Sequence, residues 1–180
     1  MQVRRLWLPP AHFTSLEKVL EWISLAGLIF SLVSLARAWN QLPDYFPVHF
    51  DFMGRPNGWG GRRTMLILPI MSLSLYLLLA GIRLFKKNIQ LPQWIRKPEL
   101  DPAIHATQDR IAKEILGWVK AEILWIYAIT QYQMLDVALG ARKGLNPFLV
   151  PVITLILLAT IGGYLWRAMR LRRVSPESVR

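Results

Sequence analysis

One short stretch contains three side chains of types that bind divalent cations: Asp44, His49 and Asp51. On an extended segment, His49 and Asp51 point to the same side, because side chains two positions apart share a face. A metal site needs a further ligand, and none is evident in the surrounding sequence. We therefore expect these side chains to hydrogen-bond within an ordered loop, and we expect neither a metal nor another cofactor.

Catalytic patterns are missing from the sequence. The other two histidines, His12 and His105, are far from the 40–63 stretch, and no nucleophile is paired with a base. There is no phosphate-binding glycine loop, no His-Glu-x-x-His and no Gly-x-Ser-x-Gly. The 180-residue chain contains no cysteine, which excludes disulfide scaffolds and thiolate chemistry. We expect the protein not to be an enzyme.

Composition points to a membrane. The net charge of +11 would suggest nucleic-acid binding in a soluble protein. However, 53% of the residues are hydrophobic, only 18% are charged, and the mean hydropathy is +0.30. These values are typical of an integral membrane protein, so we expect no nucleic-acid partner.

Four largely apolar runs are long enough to cross about 30 Å of hydrocarbon as helices. They predict an all-α fold, an integral membrane four-helix bundle with an ordered extracytoplasmic loop between helices 1 and 2. Asp101-Pro102 favours an early start for the third helix, and Gly140 favours its end. The predicted parts are an N-terminal segment (1–18), a first hairpin (19–84, spans 19–38 and 65–84, loop 39–64), a basic loop (85–114), a second hairpin (115–166, spans 115–139 and 148–166) and a basic tail (167–180).

Charge sets the orientation. Fifteen Lys and Arg fall in the N-terminal segment, around the 85–114 loop and in the tail, against six in the other two connections. Since cytoplasmic loops carry the excess of positive charge, both termini are predicted to be cytoplasmic. Anionic lipids at the cytoplasmic face are then expected partners.

Helix faces carry two further signals. Gly27 with Ser31, and Ala159 with Gly163, are small residues four apart that predict close helix approach. On the third helix three polar residues fall within about 60° of one another: Glu122, Gln133 and Asp136. They either line the bundle as proton-relay or ligand groups, or Glu122 and Asp136 reach opposite membrane interfaces. Lys120, Tyr127 and Gln131 lie on roughly the opposite face.

The 40–63 stretch has the composition of an ordered cap on the membrane. Val48, Phe50 and Phe52 alternate with polar positions, which predicts a short extended segment. The following Gly-Arg-Pro-Asn-Gly run, residues 54–58, predicts a turn. Trp59 is then expected near the lipid headgroups.

The order of these residues resembles the N-terminal module of SdpI-like bacterial membrane proteins over residues 20–85. The residues that carry the resemblance are Leu42-Pro43-Asp44, Pro47-Val48-His49-Phe50, Gly54-Arg55-Pro56-Asn57-Gly58-Trp59-Gly60 and the early helix proline Pro69. The best understood members of that family resemble immunity factors against a secreted membrane-active toxin peptide, and can hold a transcriptional repressor at the membrane. Their further Gly-Ile-Arg-Thr-Pro-Trp motif is not found, since Gly81-Ile82-Arg83 continues with Leu-Phe-Lys-Lys.

The resemblance implies a multi-pass protein of the bacterial cytoplasmic membrane that acts by recognition at the outer face, in toxin immunity, sensing or envelope stress. A peptide ligand at the outer face is then the expected partner. The alternative is an accessory or assembly subunit of a larger membrane complex, with partner subunits or a homo-oligomer; a weaker one is a transporter coupled through Glu122. The loop residues expected to shape or contact a ligand are Pro43, Asp44, Pro47, His49, Asp51, Gly54, Arg55, Pro56, Gly58, Trp59, Gly60 and Arg62.

Overall fold

The computed structural model of the protein describes the backbone of residues 14–85 and 102–172, and the side chains of 14–81 and 107–170. This part of the chain is mostly helical, with helices α1 (Ser15–Ala38), α2 (Ile67–Phe85), α3 (Pro102–Ala138) and α4 (Leu149–Arg172). Most of the predicted segment 1–18, loop 85–114 and tail 167–180 lies outside the described residues. So do His12 and the side chain of His105.

Three helical segments are long and apolar enough to cross a membrane: Ser15–Gln41, Arg62–Gly81 and Leu149–Arg170. They coincide with the first, second and fourth apolar runs of the sequence. The third predicted span, 115–139, lies within α3, which is longer but too polar along its length to join this group. The structure thus supports three membrane-crossing helices, while a membrane bundle of four stays a prediction.

Helix α3 occupies the centre of the fold, since it packs against α1, α2 and α4. Its 37 residues span about 55 Å. At one end, the residues between α1 and α2 (39–66) and the α3–α4 loop (139–148) form what we call the cap. Beneath the cap, residues of α1, α3 and the cap form one hydrophobic core: Leu35, Ala38, Leu42, Phe46, Met65, Met134, Leu135 and Ala138. A smaller cluster, Ile111, Ala112 and Ala168, joins α3 to α4 at the opposite end.

Helix ends follow from local chemistry. Thr14 caps α1 by accepting from the amide of Glu17 at 3.2 Å, while the Glu17 carboxylate accepts from the Thr14 amide. This capping box starts α1 four residues before the predicted span. The described part of helix α3 starts at Pro102 and is followed closely by Gly140, whose φ is 77°. The predicted end is therefore confirmed, while the predicted cap residue Asp101 lies outside the described residues.

Within the cap, β1 (Phe46–Phe50) pairs with β2 (Pro56–Gly60) as an antiparallel hairpin. The predicted extended segment is therefore confirmed up to Phe50, but the predicted turn at 54–58 is wrong. The turn lies earlier because one Asp51 carboxylate oxygen accepts from the amides of Met53 and Arg55, at 2.9 and 2.8 Å. Pro56 fits the start of β2, where no ladder donor is required.

The hairpin is fixed to the α3–α4 loop through a glycine. The amide of Leu145 donates to the carbonyl oxygen of Gly54 at 2.9 Å. Gly54 has a φ of 76°, and a Cβ on it would lie 2.2 Å from the carbonyl oxygen of Leu145. The contact is equally tight from the other side, where a Cβ on Gly144 would lie 2.4 Å from the Gly54 carbonyl oxygen. Only glycine permits this approach.

We predict that Gly54→Ala lowers the free energy of unfolding by about 1–3 kcal/mol or more, because it combines an unfavourable φ with a backbone clash. Thermal unfolding in mild detergent, followed by tryptophan fluorescence, measures the loss. The matched control is Gly81→Ala, at a helical glycine with nothing within 4 Å, which should be neutral or mildly stabilising. Equal melting temperatures for the two variants would contradict this account of the cap.

Candidate functional site

The loop-motif residues shape the hairpin. His49 Nδ1 hydrogen-bonds to Asn57 Oδ1 on the opposite strand. A Cβ on Gly58 would lie 2.8 Å from the Cβ of His49, and one on Gly60 would lie 2.9 Å from Val48 Cγ2. The two glycines of β2 therefore make room for the side chains of β1.

The three candidate metal ligands have separate partners. Asp51 serves the turn amides and His49 faces Asn57, while Asp44 accepts an ion-paired hydrogen bond from Arg62 at 2.5 Å. The Asp44 side chain is 95% exposed, so this ion pair adds little stability. Within residues 14–81 and 107–170, no three His, Asp or Glu side chains come close enough to hold a metal ion.

Large apolar side chains of the cap point outward. Phe52 at the hairpin turn is 89% exposed and Phe148 in the α3–α4 loop is 74% exposed. Tyr45, Met53 and Trp59 are also exposed, as are Pro43 and the charged Arg55. Pro47, which pairs with Trp59 across the strands, and Pro56 are half-buried. An ordered segment that exposes several aromatic rings is typical of an interaction surface.

Phe52, Tyr45 and Phe148 are not among the contact residues predicted from the sequence. Alternation placed Phe52 on the same side as Val48 and Phe50, but the chain leaves the strand after Phe50, and Phe52 therefore lies in the turn. The Asp51-x-x-Gly54 spacing was the available signal, since Asp at the first position of a turn bonds amides two residues on.

A partly buried ion pair joins three helices. Lys120 of α3 is only 3% exposed, and its Nζ lies 2.6 Å from Oε2 of Glu21 on α1. The hydroxyl of Tyr76 on α2 donates to Glu21 Oε1 at 2.8 Å, and Lys120 Nζ lies 4.9 Å from the Tyr76 ring centre. Each charge thus has a partner among the packed helices.

The sequence analysis noted Lys120 but overlooked Glu21 and Tyr76. A usable signal was present, because Glu21 lies 17 residues before the end of α1 and Lys120 lies 18 residues before the end of α3. Both charges therefore sit about 26 Å from the cap end of their helices. Opposite charges at equal depth in two spans are expected to pair.

The predicted polar stripe on α3 does not converge on one site. Thr160 of α4 donates to Glu122 Oε1 at 3.0 Å, while Gln133 accepts from the amide of Asn146 at 2.7 Å. Asp136 pairs with Arg142 at 3.0 Å. Each stripe residue therefore holds α4 or the α3–α4 loop. Oε2 of Glu122 is buried and has no hydrogen-bond partner among the described residues.

The opposite face of α3 carries α1. Ser31 Oγ donates to Gln131 Oε1 at 2.7 Å, and Gln131 Nε2 donates to the Ser31 carbonyl oxygen at 2.8 Å. The Trp125 ring covers Gly27, so the close approach predicted at Gly27 and Ser31 is confirmed. The approach predicted at Ala159 and Gly163 is not seen within the described chain, since both are exposed and nothing lies within 4 Å of a Cβ on Gly163.

A family model described as a domain of unknown function, DUF1648, matches residues 26–73. The matched region runs from the middle of α1 through the hairpin into the first turns of α2. It contains every residue of the loop motif and none of α3 or α4. No curated protein and no solved structure matches the chain.

We predict that Lys120→Met lowers the free energy of unfolding by about 1–3 kcal/mol, because it removes the buried cation that pairs with the partly exposed Glu21 carboxylate. A double-mutant cycle with Glu21→Gln, measured by unfolding in detergent, should give a coupling energy of about 1–3 kcal/mol. Lys143→Met, at an exposed loop cation, is the control and should change stability by less than about 0.5 kcal/mol. Additive effects of the two substitutions would refute the pairing.

Proposed function

We propose that this protein is a multi-pass protein of the bacterial cytoplasmic membrane in which all four helices cross the bilayer. Three helices have the necessary length and hydropathy. For α3, the supporting observation is that its polar side chains are covered by neighbouring helices, with Lys120 on Glu21 and Gln131 on Ser31. A helix whose polar groups are satisfied in this way can cross hydrocarbon despite its composition.

In this arrangement the cap lies at the outer face and both termini lie in the cytoplasm, because the excess of Lys and Arg is on the side opposite the cap. The basic cytoplasmic side then contacts anionic lipids.

We further propose that the protein acts by recognition through its cap, and that it is not an enzyme. The observation that carries this proposal is the exposure of Phe52, Trp59 and Tyr45 on a hairpin held rigidly by Asp51 and Gly54. A rigid surface loses little conformational entropy on binding, and aromatic side chains supply most of the energy at interfaces.

An apolar peptide at the membrane surface fits this surface chemically, because the exposed rings lie beside the ends of the apolar helices. The resemblance to SdpI-like proteins supports a secreted membrane-active peptide as the ligand, with toxin immunity, sensing or envelope-stress signalling as the role. Arg55, which is exposed at the same hairpin, would contact its polar groups.

Photo-cross-linking in intact cells tests recognition by the cap. With benzoylphenylalanine at position 52, we expect a discrete cross-linked peptide or protein. Trp59→Ala in the same chain should reduce it at least about fivefold, as expected when an aromatic contact worth over 1 kcal/mol is lost. The control is the same amino acid in place of Leu155, a similarly exposed residue in the middle of α4. Identical products from positions 52 and 155 would sink the proposal.

The alternative, an accessory subunit of a larger membrane complex, is favoured by one observation. The apolar stretch of α4 has none of its residues buried within the chain, and nothing lies within 4 Å of a Cβ on Gly162 or Gly163. Small residues on an open membrane helix are suited to close contact with another helix. Affinity purification in mild detergent separates the two functions: stoichiometric companion subunits would favour the alternative, whereas a lone protein or homo-oligomer favours recognition by the cap.

A further inference from the structure

An open groove of about 670 Å³ runs between α1 and α3 near the cap. One wall is formed by α1 and the residues just after it, from Ala26 to Gln41. The other is formed by the end of α3, from Tyr132 to Leu139. Most of the lining side chains are apolar and exposed, among them Ile29, Val33 and Leu139. We call this the α1–α3 groove.

The length of the groove corresponds to one lipid leaflet. The sixteen residues from Ala26 to Gln41 rise about 22 Å along the helix axis. Half of a 30 Å hydrocarbon core plus one headgroup layer is about 21 Å. The groove therefore extends from the cap end to about the middle of the bilayer.

Polarity along the groove matches that of a phospholipid. The hydroxyl of Ser34 donates to the Ser31 carbonyl oxygen within α1, so it does not add a free polar group to the groove. The deep part of the groove is therefore apolar. Phe30 lies there between Trp125 and Tyr132, with ring centres 5.9 and 5.6 Å apart. The polar side chains of the groove, Arg37, Gln41 and Asp136, are gathered near its cap end.

The charge at the cap end of the groove is positive. Asp136 is neutralised by Arg142, which lies 3.0 Å away. Arg37 is exposed, and its guanidinium makes no ion pair with any residue whose side chain is described. With Asp136 neutralised, Arg37 leaves this end of the groove with a net positive charge. A guanidinium binds phosphate oxygens in a bidentate manner.

We propose that the α1–α3 groove binds a phospholipid of net negative headgroup charge, with its phosphate on Arg37 and an acyl chain along Phe30 and Val33. The inference rests on the proposed membrane embedding and does not depend on recognition by the cap. The proposed lipid belongs to the outer leaflet. It is distinct from the anionic lipids that the basic cytoplasmic face attracts in general.

Native mass spectrometry of the purified protein in mild detergent tests the proposal. The probes are phosphatidylglycerol and phosphatidylcholine with identical acyl chains, added in increasing amounts. We expect the wild-type protein to bind phosphatidylglycerol about tenfold more tightly, and Arg37→Gln to abolish most of that preference. Arg37→Lys, which keeps the charge but loses the bidentate fork, should lie between them.

Two matched pairs of variants locate the site. Val33→Trp fills the groove and should weaken both lipids about tenfold, whereas Leu155→Trp on α4 should change neither. Arg63→Gln removes an exposed cation outside the groove and should preserve the preference for phosphatidylglycerol. Equal binding of the two lipids by the wild type, or equal effects of Arg37→Gln and Arg63→Gln, would overturn the proposal. A companion protein displaced by Val33→Trp in place of lipid would also overturn it.

Failure of this inference can be told apart from failure of the proposed function. Flotation of the protein with liposomes reports membrane embedding, and cross-linking at position 52 reports recognition by the cap. Neither readout depends on the headgroup preference at Arg37.

Discussion

The contacts of α3 are governed by its polar side chains, which need partners wherever neighbouring helices exclude water. Lys120 and Gln131 lie on one face of this helix and pair with α1, while Glu122 lies on the opposite face and pairs with α4. Removing such a partner would leave a buried polar group unsatisfied, at a cost of about 1–3 kcal/mol or more. The more apolar helices therefore surround α3. Their own outer surfaces, 0% buried for the apolar stretch of α4, are left uncovered by the described part of the chain.

The same contacts determine where the cap lies. Pairing at Lys120 and Gln131 fixes how far α1 is shifted along α3, so the two helices end together in one core with Leu42, Phe46 and Met65. Gln133 then holds the α3–α4 loop, and that loop holds the hairpin through Gly54. A chain of contacts therefore connects the helix interior to the exposed aromatic rings, which explains why so small a hairpin is ordered.

The sequence predicts where the helices lie but not which residues of other helices they contact. Apolar runs, Pro102 and Gly140 predict the helices, and Gly27 with Ser31 predicts close approach, because these signals are local. The hairpin turn was mispredicted because the Asp51 side chain competes with the Pro-Asn-Gly signal. For the polar side chains of α3, helix geometry predicts the face on which each one lies but not the residue that it contacts. Only the packed fold shows that Glu21 faces Lys120.

Whether α3 crosses the membrane is the central claim, and the absence of cysteine from the chain makes it directly measurable. Single cysteines at Thr107, Lys143, Phe52 and Arg170 can be labelled in intact cells with a membrane-impermeant maleimide. The account predicts labelling at positions 52 and 143, and labelling at 107 and 170 only after permeabilisation. Labelling of positions 107 and 143 from the same side would show that α3 does not cross, and would contradict the account.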